Sequence, residues 1–153
     1  MAIEAPLSKY KRNNFKIYIA VCLGLAAWFA YDGYLNQGFI DKHTDEQGQA
    51  DTDLVINRVS PPFLVGAAVV LGVWFYLVKD KKLLADEDEL VLAGKAKIPY
   101  DAIEGIDKTY FEKKGFFTII YKAADGTEKR CKLNDRQYDN LQGILDHLVA
   151  QIT

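Results

Sequence analysis

Cysteine is scarce in this chain, with only Cys22 and Cys131, and histidine is limited to His43 and His147. Cys22 lies in an apolar block and Cys131 in a charged segment, so a disulfide between them is not expected. No Cys/His spacing matches a metal site, and no calcium or zinc motif emerges. Positive charge is not in excess either. Nineteen Lys and Arg face twenty-one Asp and Glu, a formal net charge of −2, which lacks the electrostatic footprint of a nucleic-acid binder. No glycine-rich phosphate loop is present, and proline numbers only four.

Long apolar stretches are what the chain does have. Mean hydropathy is near neutral because two apolar blocks offset a highly charged remainder. Val59–Val78 carries no charge. It matches the about 20 residues at about 1.5 Å rise that cross about 30 Å of hydrocarbon. Pro61 and Pro62 read as its start, where a missing N–H costs little, and Trp74, Phe75 and Tyr76 as an interfacial aromatic belt at its far end. The remaining chain is too short to bury a helix apolar on every side. The first block, Ile17–Tyr31, is shorter. Lys16 can snorkel at one end, and the uncharged, aromatic run from Gly33 through Ile40 extends it at the other. A cleaved signal peptide is the competing reading, but Trp28-Phe29-Ala30 sets a bulky ring where a small residue is needed, and Ile19-Ala20-Val21-Cys22 is not a lipobox. The segments expected are thus a basic N-terminus over 1–16, a first membrane helix with interfacial extension over 17–40, a connecting loop over 41–58 and a second membrane helix over 59–78.

Orientation follows from the basic residues. Lys9, Lys11, Arg12 and Lys16 precede the first helix, and Lys79, Lys81 and Lys82 follow the second. The stretch between them is acidic, with Asp32, Asp41, Asp45, Glu46, Asp51 and Asp53 against Lys42 and Arg58. The positive-inside rule then puts both termini in the cytosol and residues 32–58 outside. Ala20/Gly24 and Ala68/Gly72 are small pairs at four-residue spacing and are candidate helix-packing positions, toward each other or toward another subunit.

The loop Asp41–Asp53 is polar, and an EF-hand alignment through His43, Asp45, Gln47 and Gly48 fails because Leu54 stands where Glu is required. A solvated loop is the expectation. Its apolar shoulders, represented by Tyr34, Phe39, Leu54 and Ile56, are candidate contacts for a partner.

Beyond Lys82 the apolar period shortens. Glu89–Ala93, Ile98–Tyr100 and Ile103–Phe111 read as strands, and Glu112–Gly115 as a hairpin loop. Phe116–Ala123 alternates, with Phe117, Ile119, Tyr121 and Ala123 on one face. Asp125-Gly126 is a strong hairpin signal before Glu128–Leu133. Asn134 with Gln137 suggests a capped helix carrying the stripe Tyr138, Leu141, Leu145, Leu148 and Ile152. The run IPYDAIEGIDK, then KKGFFTIIYK, a tight turn, EKRCKLND and a final amphipathic helix resemble a bacterial pleckstrin-homology-like (PH-like) domain over residues 83–153. The resemblance implies an α+β membrane protein in a bacterial cytoplasmic membrane. Its transmembrane helical hairpin would be joined to a small antiparallel β-meander with a C-terminal amphipathic helix. With four or five strands against the seven of a full PH barrel, the domain is expected to be truncated. Lys95 and Lys97 are then the candidates for a lipid headgroup.

No catalytic constellation accompanies this architecture. Asp146 and His147 are neighbours on a helix and do not face one another, His43 has no partner at fixed spacing, and neither span carries a histidine that could be a haem axial ligand. No cofactor is expected, and the chain is not read as an enzyme. The expected partners are the bilayer and other membrane subunits, with no nucleic acid. The leading function is a non-catalytic accessory or scaffold subunit of a membrane complex. The alternatives are a tethered PH-like module for headgroups or a cytosolic protein, and a peripheral subunit of a respiratory or photosynthetic complex.

Overall fold

The computed structural model describes residues 2–93 and 96–152, and the chain forms two compact units. One joins Met1–Arg12 to Val78–Thr153, and the other is Asn13–Leu77. The protein is α+β, with two long helices and two small antiparallel sheets.

The helical unit is built from α1 (Lys9–Ala30, whose first turn belongs to the other unit), a π turn over Tyr31–Leu35, α2 (Gln37–Lys42) and α3 (Thr52–Val78). Lys9–Leu35 and Thr52–Val78 are each long and apolar enough to cross a membrane. The second helix thus starts seven residues before the expected Val59, and Pro61 and Pro62 lie inside it instead of at its start. Position inside a helix removes two ladder donors. Asp51 provides the true cap, its Oδ1 accepting from Leu54 N–H at 3.0 Å.

Among the described residues the other unit contains seven strands, six of them after Lys81, where four or five were expected. One sheet has the order β1 (Ile3–Pro6), β2 (Lys82–Ala85), β3 (Glu89–Leu92), β4 (Ala96–Pro99). The other runs β5 (Ile103–Asp107), β6 (Phe116–Lys122), β7 (Glu128–Asn134). All pairings are antiparallel. The N-terminal segment is therefore not a mere basic extension. Ile3 and Ala5 alternate with Glu4 and Pro6, and β1 pairs with β2 across the inserted helices, Ile3 opposite Ala85 and Pro6 opposite Lys82.

One apolar core takes residues from both sheets and from α5 (Leu141–Ile152). Ala5, Leu83, Leu90 and Ile98 come from the first sheet, Phe117, Ile119 and Leu133 from the second, and Ile144, Leu145 and Leu148 from the helix. The expected cap at Asn134 does not start this helix. Its side chain accepts from Arg136 N–H at 2.8 Å and its carbonyl from Gln137 and Tyr138, closing a turn instead. Tyr138 is buried in that turn, α5 begins at Leu141 after Asn140 with φ 58°, and Ile152 at its end is exposed. Asn tolerates this left-handed region better than most residues, and its Nδ2 donates to Glu4 O at 3.0 Å. Glu112–Lys114 likewise belong not to a hairpin loop but to a single helical turn, α4 (Phe111–Lys114), ended by Gly115 at φ 69°. Asp125-Gly126 forms the hairpin turn, with Gly126 at φ 81° and Asp125 Oδ1 accepting from Thr127 N–H.

Ser8 joins three stretches of this unit. It is the buried polar residue of the core region, 1% exposed. Its Oγ caps α1 by accepting from Lys11 N–H at 3.1 Å and donates to Arg136 O, while its own N–H donates to Gln137 O at 3.0 Å. On either side, Leu7 N–H donates to Lys81 O and Lys9 N–H to Asp139 Oδ2. Ser8→Ala removes a cap and leaves Arg136 O without this donor. The expected loss is about 1–2 kcal/mol of stability, with Ser8→Thr retaining most of it. Thermal unfolding of the full chain in mild detergent, followed by circular dichroism, measures both.

Candidate functional site

The connection between the two long helices is the most elaborately bonded part of the helical unit. It begins with a sequence problem. Pro61 and Pro62 cannot donate to the carbonyls of Asn57 and Arg58, four residues earlier. Tyr34 supplies one replacement, its hydroxyl donating to Arg58 O at 3.0 Å. Arg58 reciprocates, its Nε donating to Gly33 O at 2.9 Å, with the guanidinium 6.0 Å from the Tyr34 ring centre. Gly33 allows the two backbones this close. A Cβ there would lie 2.9 Å from both Asn57 C and O. Asp32, the acid left unassigned by the sequence pattern, accepts from Trp28 Nε1 at 2.7 Å and Asn36 Nδ2 at 2.8 Å. Asn36 in turn caps α2 through Phe39 N–H.

The acidic loop is ordered by its own side chains. Asp45 Oδ1 accepts from Gln47 and Gln49 N–H, Gly48 takes φ 79°, and Thr44 bridges to Ala50. His43 stacks on Phe39 with ring centres 4.2 Å apart and puts Nδ1 2.6 Å from Asp51 Oδ2 and 3.9 Å from Asp53 Oδ2. These three residues could present one ligand atom each to a metal ion, all within 4.8 Å of one another. The geometry fits a latch more closely. Both Asp51 oxygens are already engaged, one by Leu54 N–H and one by His43, at a helix start whose dipole favours anions over cations. These bonds hold the Asp51 carboxyl below its ordinary value, the Leu54 amide contributing most and His43 next.

The small-residue pairs are packed only in part within the helical unit. Ala26 and Ala68 are buried, and Phe15 and Phe75 meet with ring centres 5.7 Å apart. Along α1 the less exposed positions include Phe15, Ile19, Cys22, Ala26 and Phe29, a three–four repeat of the kind that lines left-handed helix pairs, with Leu25 and Ala30 beside it. Ala20 and Gly24 are exposed, and a Cβ on Gly24 or on Gly72 would touch nothing within 4 Å. Of the four expected positions only Ala68 is packed. Of the loop contacts, Tyr34 is 57% and Ile56 46% exposed, whereas Leu54 is fully buried and Phe39 lies under His43. Leu54 is thus a core residue of this unit and is not available to a partner.

The remaining candidates lie in the sheet unit. Lys95 falls outside the described residues. Lys97 is bonded to Glu89 at 2.6 Å, and that carboxylate raises the lysine's pKa. His147 Nε2 lies 3.1 Å from Asp86 O, which also accepts from Tyr100 Oη at 2.6 Å. Burial first, then the neighbouring Asp86, Asp88 and Glu89 charges, push the Tyr100 hydroxyl up to about 12. Burial also raises the Cys131 thiol, the opposite of what activates a nucleophile. Both cysteines are free thiols. Pro61-Pro62 with Tyr34 and Arg58 is the arrangement that sequence reasoning missed, and the adjacent prolines were its visible signal. Comparison with protein-family models, curated proteins and solved structures finds no match.

Two outcomes follow from this geometry. Gly33→Ala should destabilise the helical unit by about 1–3 kcal/mol, the usual cost of overpacking, because the obstruction is backbone. Gly24→Ala should be neutral or stabilising by up to about 1 kcal/mol from helix propensity. Thermal melts of the two variants in one detergent compare them directly. Asp51, held below 3.8 in the folded chain, stabilises the latch at and above that pH. That contribution is lost as pH falls through the lower folded value. A carbon-detected NMR titration should place the Asp51 midpoint below 3.8, and a midpoint at or above it would contradict the latch.

Proposed function

We propose that the chain is a non-catalytic scaffold subunit of a membrane assembly, in which a transmembrane hairpin carries a cytosolic sheet unit. The observation that carries this reading is where the hairpin is inserted. It leaves the sheet after β1 and returns at β2, and these two strands are hydrogen-bonded neighbours. Both ends of the membrane segment are therefore tied to one folded platform, as a display element requires. The positive residues at those ends, Lys9, Lys11, Arg12, Lys79, Lys81 and Lys82, favour the cytosol for that platform, in a bacterial cytoplasmic membrane by the resemblance above. The polar groups at hand serve structure: His43 and Asp51 in the loop, His147 and Tyr100 on a backbone carbonyl.

The PH-like reading keeps support from the arrangement of the sheets, four strands and then three, all antiparallel, followed by one helix. The seven strands fit an untruncated version of it, with β1 separated from β2 by the whole hairpin. A headgroup site at Lys97 is less favoured, since Glu89 already holds that ammonium.

Extraction of the native membrane in mild detergent, native electrophoresis and mass spectrometry test the proposal. Stoichiometric co-migrating chains are the expected result. Migration of the chain alone would overturn the scaffold reading in favour of a recognition module.

A further inference from the structure

Sheet edges are where an antiparallel domain is open to a partner strand, and proteins normally blunt them. Three of the four edges here are blunted by backbone. β1 is four residues long and ends in Pro6, beside the Leu7–Tyr138 bridge. β4 is equally short and ends in Pro99, and β5 is broken by a register shift between Ile103 and Gly105. Proline and bulges both interrupt ladder formation. β7 has none of these devices. It is seven residues long, pairs with β6 in unbroken register from Glu128 to Asn134, and has no strand on its other side among the described residues.

Its side chains specify what could pair there. On the outer face Arg130 and Lys132 are exposed, Lys132 lying 3.6 Å from the centre of the Phe116 ring. On the inner face Cys131 is half-buried and Leu133 buried, while Lys129 is exposed. Glu128 is the strand's one acid and sits 3.3 Å from Arg130. A second β7 added antiparallel and centred on Arg130 or Cys131 would set Arg130 opposite Arg130 or Lys132, and like charges directly opposite are destabilising. The same basic residues that reject a second copy accept carboxylates.

We infer that the free edge of β7 is a docking site for an extended acidic segment of a partner protein. Its acidic residues alternate with apolar ones, and it adds as a strand beside Glu128–Leu133. Main-chain hydrogen bonds hold such a segment, and alternate side chains select it: carboxylates pair with Arg130 and Lys132, and apolar residues continue the inner row of Cys131 and Leu133. This deepens the scaffold reading and rests on it, since it names the chemistry of one partner.

The test uses the full chain in detergent micelles and an end-blocked synthetic peptide of alternating Val and Glu, matched in length to β7. Amide hydrogen exchange across Glu128–Leu133 should slow by about tenfold, the worth of one or two added hydrogen bonds. A Val/Lys peptide should have no effect. The Val/Glu peptide N-methylated at alternate residues, with its charge intact and its donors removed, should also have none. In the double variant Arg130→Glu, Lys132→Glu the preference should switch to the Val/Lys peptide. Absence of protection by Val/Glu overturns the proposal, as does equal protection by its N-methylated form. Protection of β7 that rises with protein concentration and resists the peptide would assign the edge to a second copy and overturn it too. Failure here would leave a co-purified assembly standing, and loss of that assembly would leave the peptide result standing.

Discussion

The hydroxyl of Ser8 is the small group on which most of the sheet unit depends. A residue between β1 and α1 must end a strand and start a helix within one or two peptide units. The first helical amides then need acceptors that the strand cannot supply. Ser8 meets this need with Oγ toward Lys11, and the same oxygen reaches Arg136 in the turn before α5. Because that turn also holds Tyr138 in the core and Asp139 against the Lys9 and Pro6 backbones, the placement of α5 over both sheets traces back to it. Leu7 N–H on Lys81 O adds the strand that returns from the helices. The stretches so joined lie up to 130 residues apart. Burial of a hydroxyl is unfavourable unless it is fully bonded, so the bonds to Ser8 are a condition of the core and not an addition to it.

The connection between the two long helices solves the opposite problem. There a helix continues through two prolines, which by themselves would break it. The repair comes from the other helix, through the Tyr34 hydroxyl and the absence of a side chain at Gly33. The π turn at Tyr31–Leu35 belongs to the same repair. Such turns occur singly and at special sites, and this one brings Gly33 and Tyr34 to the proline gap.

Those two junctions explain what was legible in the chain and what was not. The apolar blocks were, because length and lack of charge are local properties. So were β6, β7 and the Asp125-Gly126 turn, which pair between neighbours in sequence. β1 was not, since four residues ending in proline carry almost no period, and their partner Lys82–Ala85 lies beyond both helices. The start of α3 was misplaced because proline is a helix-start signal, unless another chain segment supplies the missing donor. Ala20 and Gly24 carry a related ambiguity. Small spacing shows that a close approach is possible on a face without showing which face is used, and the ring contact between the two helices is Phe15 with Phe75. The Asp51–His43 latch lay in plain view as residue types, yet it needs the Asp45 turn to bring positions eight apart together.

Charge pairing on the sheets bears on what the platform can recognise. Lys82 is matched by Glu4 on the neighbouring strand, Lys97 by Glu89 and Lys122 by Glu104. Each such exposed pair adds little to stability, because water screens it. Their larger effect is on binding, because an anionic headgroup at Lys82, Lys97 or Lys122 must compete with a carboxylate already in place. A phosphate cradle needs several uncommitted cations converging on one point, and these three are spread over three strands with an acid beside each. β7 differs, with three basic residues against one acid along a single open backbone. A row of cations beside unpaired amides and carbonyls suits a linear acidic chain, which can meet both at once, better than a compact headgroup. On the proposed reading, the charge pattern of β7 therefore favours an extended acidic segment over a lipid headgroup.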